Sequence, residues 1–77
     1  MDKKVIIDLI AENIRLQRLK NRLTQDRLAE LSGLSTKYIN SIESGKVNPS
    51  IVVIIKICQA LKMDLNKIIM PNYLQGM

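Results

Sequence analysis

Along the first twenty residues, apolar side chains return at helical spacing. Ile6, Ile7, Ile10, Ile14 and Leu19 recur at intervals of three to five, while Asp8, Glu12, Arg15 and Arg18 fill other positions. The pattern predicts a first helix over 2–20, ending near Asn21 and Arg22, with Asn the better suited of the two to a left-handed backbone. Thr24 offers an N-cap hydroxyl to a second helix over 25–32, where Asp26 sits favourably in the first turn and Leu28, Ala29 and Leu31 form the apolar side. Gly33 then makes a tight turn and Ser35 caps a third helix over 36–44. Ile39 and Ile42 point inward from that helix, and Gly45 stops it. Pro49 suits the first turn of a fourth helix, because its missing N–H has no intrahelical partner there.

The run Ile51-Val52-Val53-Ile54-Ile55-Lys56-Ile57 is β-branched and on propensity alone favours a strand. Its length decides for helix: the apolar pattern continues through Cys58 and Leu61, and a strand would have no partner in the chain. A buried fourth helix over 50–61 is expected. A short fifth, capped by Asp64, runs from Leu65 to Ile69 before Pro71. The last residues, 72–77, show no periodicity, although Tyr73 and Leu74 are suited to anchoring them. The expected architecture is all-α, a compact five-helix bundle forming one domain over 1–77.

Composition narrows the chemistry. Seventy-seven residues leave room for one core, and 47% hydrophobic with 25% charged residues is the balance of a folding domain. Twelve Lys and Arg against seven Asp and Glu give a net charge of +5 and a sequence pI near 9.7, which points to a polyanionic partner. Without His, the usual zinc, haem and His-dependent catalytic sites lose their ligands or bases, and one cysteine, Cys58, makes no internal disulfide. Ser35, Ser41 and Cys58 are weak candidates for a nucleophile, so no enzyme, metal or cofactor is expected. The longest apolar run, 51–55, is far short of the roughly 20 residues that span a bilayer, so no membrane role and a cytoplasmic location are expected.

Two short helices joined by a turn of about four residues outline a helix-turn-helix, whose second helix enters a DNA major groove. The particular residues go further. Thr24-Gln25, Leu28-Ala29, Gly33-Leu34-Ser35, Tyr38-Ile39, Ile42-Glu43 and Gly45-Lys46 resemble the phage-repressor and Cro-like (XRE-type) helix-turn-helix family at matching spacings. So does the flank, with Ile14-Arg15 and Arg18 before the motif and Asn48-Pro49-Ser50 after it. The resemblance spans about 10–69, with the motif at about 24–44, and implies the lambda-repressor-like fold. Two positions depart from it: Arg22 stands where the family often has Gly, and Gln17 where an apolar residue is common.

Transferred by position, base reading falls to Thr36, Lys37 and Ser41, with Asn40 beside them. Lys37 suits guanine O6 and N7, Asn40 suits adenine N6 and N7, and Thr36 suits a thymine methyl. Phosphate contacts are expected at the helix starts and the loop after the third helix: Thr24, Gln25, Ser35, Tyr38, Ser44, Lys46 and Asn48. Arg15, Lys20, Arg22 and Arg27 contribute a general positive field. The resemblance also implies an Arg18–Glu43 ion pair, and a homodimer on a palindromic double-stranded operator with half-sites about 34 Å apart. The surplus apolar residues Leu65, Ile68, Ile69, Met70, Tyr73 and Leu74 place the dimer surface at 64–77. A stand-alone repressor and a restriction–modification controller both fit, and no small-molecule ligand is expected. The rival reading is an antitoxin or protein-interaction adaptor on the same fold, against which stands the shortness of the tail.

Overall fold

The computed structural model describes residues 2–71, which form five helices and no strand. These are α1 (Lys3–Lys20), α2 (Gln25–Ser32), α3 (Thr36–Glu43), α4 (Ile51–Leu61) and α5 (Asn66–Ile69), with a Cα radius of gyration of 11.4 Å. No helix among the described residues is long and apolar enough to cross a membrane.

Side-chain oxygens cap the four longer helices: Asp2 accepts from Val5 N–H, Thr24 from Arg27, Ser35 from Tyr38 and Ser50 from Val53. Each occupies an otherwise unpaired first-turn donor. The Ser50 cap corrects the expected start of α4, since Pro49 lies outside the helix, buried in the preceding loop. Helix α5 begins one residue later than expected. Asp64 lies two residues ahead of it and still accepts from Asn66 N–H at 3.2 Å.

The same four helices share one ending. The N–H five residues beyond a carbonyl closes the last turn from Leu23 to Arg18, Leu34 to Ala29, Lys46 to Ser41 and Met63 to Cys58. This closure requires a left-handed residue just before the donor. Gly33 and Gly45 fill that place at φ 74 and 73, but the other two are Arg22 at φ 57 and Lys62 at φ 54. The expectation for α1 is thereby corrected. Asn21 stays at φ −84, with its side-chain amide donating to the Gln17 carbonyl, and Arg22 takes the strained position. A left-handed L-residue costs about 1–2 kcal/mol, partly offset by the greater entropy that Gly loses on folding. Arg22→Gly is therefore expected to raise stability by up to about 1 kcal/mol, read as a higher midpoint in urea with an unchanged slope.

The core gathers Ile14 from α1, Leu28 and Ala29 from α2, Ile39 and Ile42 from α3, Ile54, Ile57, Cys58 and Leu61 from α4, and Ile68 from α5. On α4 the buried four fall at i, i+3, i+4 and i+7, which completes one helical stripe. Ile51, Val52 and Ile55 consequently remain exposed, Val52 at 59%, so α4 is amphipathic rather than buried all round. Leu19 and Leu31 are also exposed: the inward stripes of α1 and α2 are already filled by Ala11 and Ile14 and by Leu28 and Ala29. Burial pushes the Cys58 thiol above its ordinary pKa, with the Asp64 charge adding to the rise. It packs as a small apolar side chain.

Polar groups also fix the frame. Asn13 is fully buried on α1, and its amide nitrogen donates to the carbonyls of Ile68 and Met70, both at 2.7 Å. This ties the end of α5 to the first helix.

Candidate nucleic-acid interface

Helices α2 and α3 are joined by 33–35. Gly33 turns the chain, Leu34 packs on the core and Ser35 starts α3. Ile39 and Ile42 lock α3 inward at 0% and 1% exposure. The opposite side is thereby presented on a rigid backbone, with Thr36, Lys37, Asn40 and Ser44 exposed and Ser41 half-buried.

Several of these side chains are already oriented by α2. Thr36 Oγ1 donates to Asp26 Oδ1 at 2.7 Å, which turns its hydroxyl toward α2. Asn40 Nδ2 donates to Gln25 Oε1 at 3.3 Å, and Gln25 Nε2 donates to Glu43 Oε1 at 3.2 Å. Ser44 Oγ donates back to the Asn40 and Ser41 carbonyls, at 2.8 and 3.3 Å. Thr24 and Ser35 act as caps through their side-chain oxygens. Tyr38 is half-buried against the core, while Lys46 and Asn48 lie exposed in the loop after α3.

Beneath this face is an ion pair. Arg18 donates from Nε to Glu43 Oε2 at 2.8 Å and from Nη2 to Oε1 at 3.0 Å, and its Nη1 reaches the Leu23 carbonyl at 2.7 Å. The side chains are 11% and 3% exposed, so the pair is shielded from water and joins α1, the α1–α2 turn and α3. The acid on α3 is thus neutralised inside the protein, away from any approaching polyanion. At the surface, Arg27 pairs with Glu30, which diminishes its share of the positive field, whereas Arg15, Lys20 and Arg22 are exposed.

The residues expected to form a dimer surface at 64–77 separate. Ile68 is fully buried and cannot meet a partner: it fills the space against α1 that Asn13 closes. Leu65 is half-buried against the core and Met70 half-buried at its edge, which leaves Ile69 exposed. Tyr73 and Leu74 lie outside the described residues. The exposed apolar side chains of α4 were missed from sequence, although the completed stripe at 54, 57, 58 and 61 is the signal that would have found them.

The helix-turn-helix model HTH_3 matches residues 14–68 of this chain. The chain belongs to the HTH_3 helix-turn-helix family. Control protein C.SmaI of Serratia marcescens is 38% identical over 64 residues, which are 83% of this chain and 76% of that protein. Among solved structures, the restriction-modification controller protein C.AhdI of Aeromonas hydrophila superposes with a TM-score of 0.78 at 32% identity, over 80% of this chain and 94% of that one. The hypothetical transcription factor NHTF of Neisseria superposes at 0.87 with 26% identity, covering all of this chain and 91% of that one. The HTH_3 match contains α2, α3 and α4 in full, together with Arg18 and Glu43.

Proposed function

We propose that this chain is a sequence-specific, double-stranded-DNA-binding transcriptional regulator that places α3 in the major groove and binds a palindromic operator as a homodimer. The observation that carries the reading is the division of α3. Ile39 and Ile42 hold one side in the core while Thr36, Lys37 and Asn40 stand on the other, Thr36 and Asn40 supported from α2. A rigid helix bearing short polar and basic side chains is what base-edge recognition requires. Thr24, Gln25, Ser35, Tyr38, Ser44, Lys46 and Asn48 surround it as phosphate contacts that set its register. The likeness to C.AhdI, named as a restriction-modification controller protein, and to C.SmaI, named as a control protein, favours a restriction–modification setting.

A binding selection against a randomised duplex library tests this directly. Enrichment of a palindrome supports the reading, and failure to enrich any sequence turns the search to a protein partner. Within the selected site, Lys37→Ala is expected to relax preference for guanine at one position per half-site, costing about 1–3 kcal/mol. By contrast, Lys46→Ala weakens all sequences alike and lowers the salt slope by about one per protomer, about two for the dimer. Equal losses on every sequence for Lys37→Ala would remove it from base reading.

For the dimer, the exposed apolar side chains Ile51, Val52 and Ile55 of α4 and Ile69 of α5 now supply the contact surface. A buried charge facing its twofold copy is strongly unfavourable. Ile55→Asp and Ile69→Asp are expected to sediment as monomers at concentrations where the wild-type chain is dimeric, and to lose tight binding to the two-half-site duplex. Dimers of unchanged affinity in both variants would rule the surface out.

A further inference from the structure

We propose that Gln25 is a positioning residue for sequence reading: it transmits the hydrogen-bond polarity of the Arg18–Glu43 pair to the side-chain amide of Asn40, and so biases that residue toward adenine. The inference rests on α3 reading bases as set out above, and assigns Gln25 a role beyond phosphate contact.

The argument is one of donors and acceptors in series. Glu43 accepts two charge-assisted bonds from Arg18, and a carboxylate only accepts. Gln25 therefore turns its nitrogen toward Glu43 Oε1 and its carbonyl oxygen the other way. That oxygen can only accept as well, so Asn40 turns its own nitrogen toward Gln25. A reversed Asn40 amide would set two carbonyl oxygens against each other. Without a neighbour, an exposed Asn amide presents either end with similar ease.

Orientation matters because base edges differ in order as well as in content. Adenine shows an acceptor, N7, beside a donor, the N6 amino group, whereas guanine shows two acceptors. The proposal requires that the N–H directed at Gln25 be the one trans to Oδ1, so that the other N–H and Oδ1 are left side by side as a donor and an acceptor. That is the complement of adenine in one fixed order. The Arg18–Glu43 pair, which touches no base, thus sets which way round the pair of groups is offered.

The test is a binding selection on four proteins: wild type, Gln25→Met, Asn40→Ala and the double variant. Wild type is expected to enrich a palindrome with adenine at the position that Asn40→Ala releases, by about five- to a hundredfold over the other bases. Gln25→Met should lose most of that preference at the same position and leave the others intact, and the double variant should match Asn40→Ala, as two residues acting through one contact must. In the free protein, the side-chain amide proton signals of Asn40 should move toward those of a solvated asparagine in Gln25→Met.

Full adenine preference in Gln25→Met, with uniformly weaker binding, would overturn the proposal and leave Gln25 as a phosphate contact. A palindrome whose base preferences Asn40→Ala does not alter would overturn it while sparing the wider function. No enrichment by wild type would overturn both. If Gln25→Met does not fold, Gln25→Leu and the amide signals of Asn40 decide.

Discussion

Glu43→Ala should lose about 3–5 kcal/mol of folding stability, because it strands a guanidinium that is only 11% exposed. A chain of this length has about 4–12 kcal/mol in total, so the loss is a large share of it and the thermal midpoint should fall by more than about 10 °C. The loss comes mainly from the survivor: Arg18 keeps one bond, to the Leu23 carbonyl, and has no anion to balance its charge. Replacing both partners, as in Arg18→Met with Glu43→Leu, should accordingly cost less than Glu43→Ala alone, since no charge is then left buried. A melt of Glu43→Ala that overlays wild type would show the pair to be solvated and unimportant to folding.

A loss of about 2–5 kcal/mol is expected for Ile39→Ala, which leaves a cavity where a fully buried side chain anchored α3. Ile39→Val removes one methylene and should cost about 0.5–1.5 kcal/mol. The outward face of α3 is the same in both variants, so DNA should report the damage differently from an altered contact. Operator duplex at a hundred times its dissociation constant adds about 2.7 kcal/mol to the folded state, enough to restore most of the loss. Thermal melts of Ile39→Ala with and without the selected duplex check this. A variant that stayed folded yet failed to bind would assign Ile39 an unexpected part in recognition.

Much of the scaffold was legible because local rules set it. Thr24, Ser35, Gly33 and Gly45 announce helix boundaries through chemistry confined to one turn, and the stripe of Ile54, Ile57, Cys58 and Leu61 follows from helical period. The errors arise where a local preference meets a closure. Asn21 has the better intrinsic tolerance of the left-handed region, but the bond from Leu23 to Arg18 places the demand one residue later, on Arg22. The outward residues Thr36, Lys37 and Asn40 could be placed on one face by spacing, whereas the hydrogen bonds of Thr36 to Asp26 and of Asn40 to Gln25 join positions ten and fifteen apart and leave no periodic trace. Ile68 went astray for a similar reason. Hydrophobicity says that a side chain seeks cover, and only packing against α1 says whose.

The two sides of α3 also differ in how freely they can change over evolutionary time. Lys37 is exposed and Thr36 is fastened to the surface residue Asp26, so substitutions there leave the fold undisturbed and, on the proposed reading of α3, retarget the protein. Asn40 is tied through Gln25 to a buried charge pair, and a change at 40 alters what that pair must satisfy. Descendants of this chain that diverge in the sites they recognise should vary first at 36 and 37, while 18, 25, 40 and 43 are inherited together.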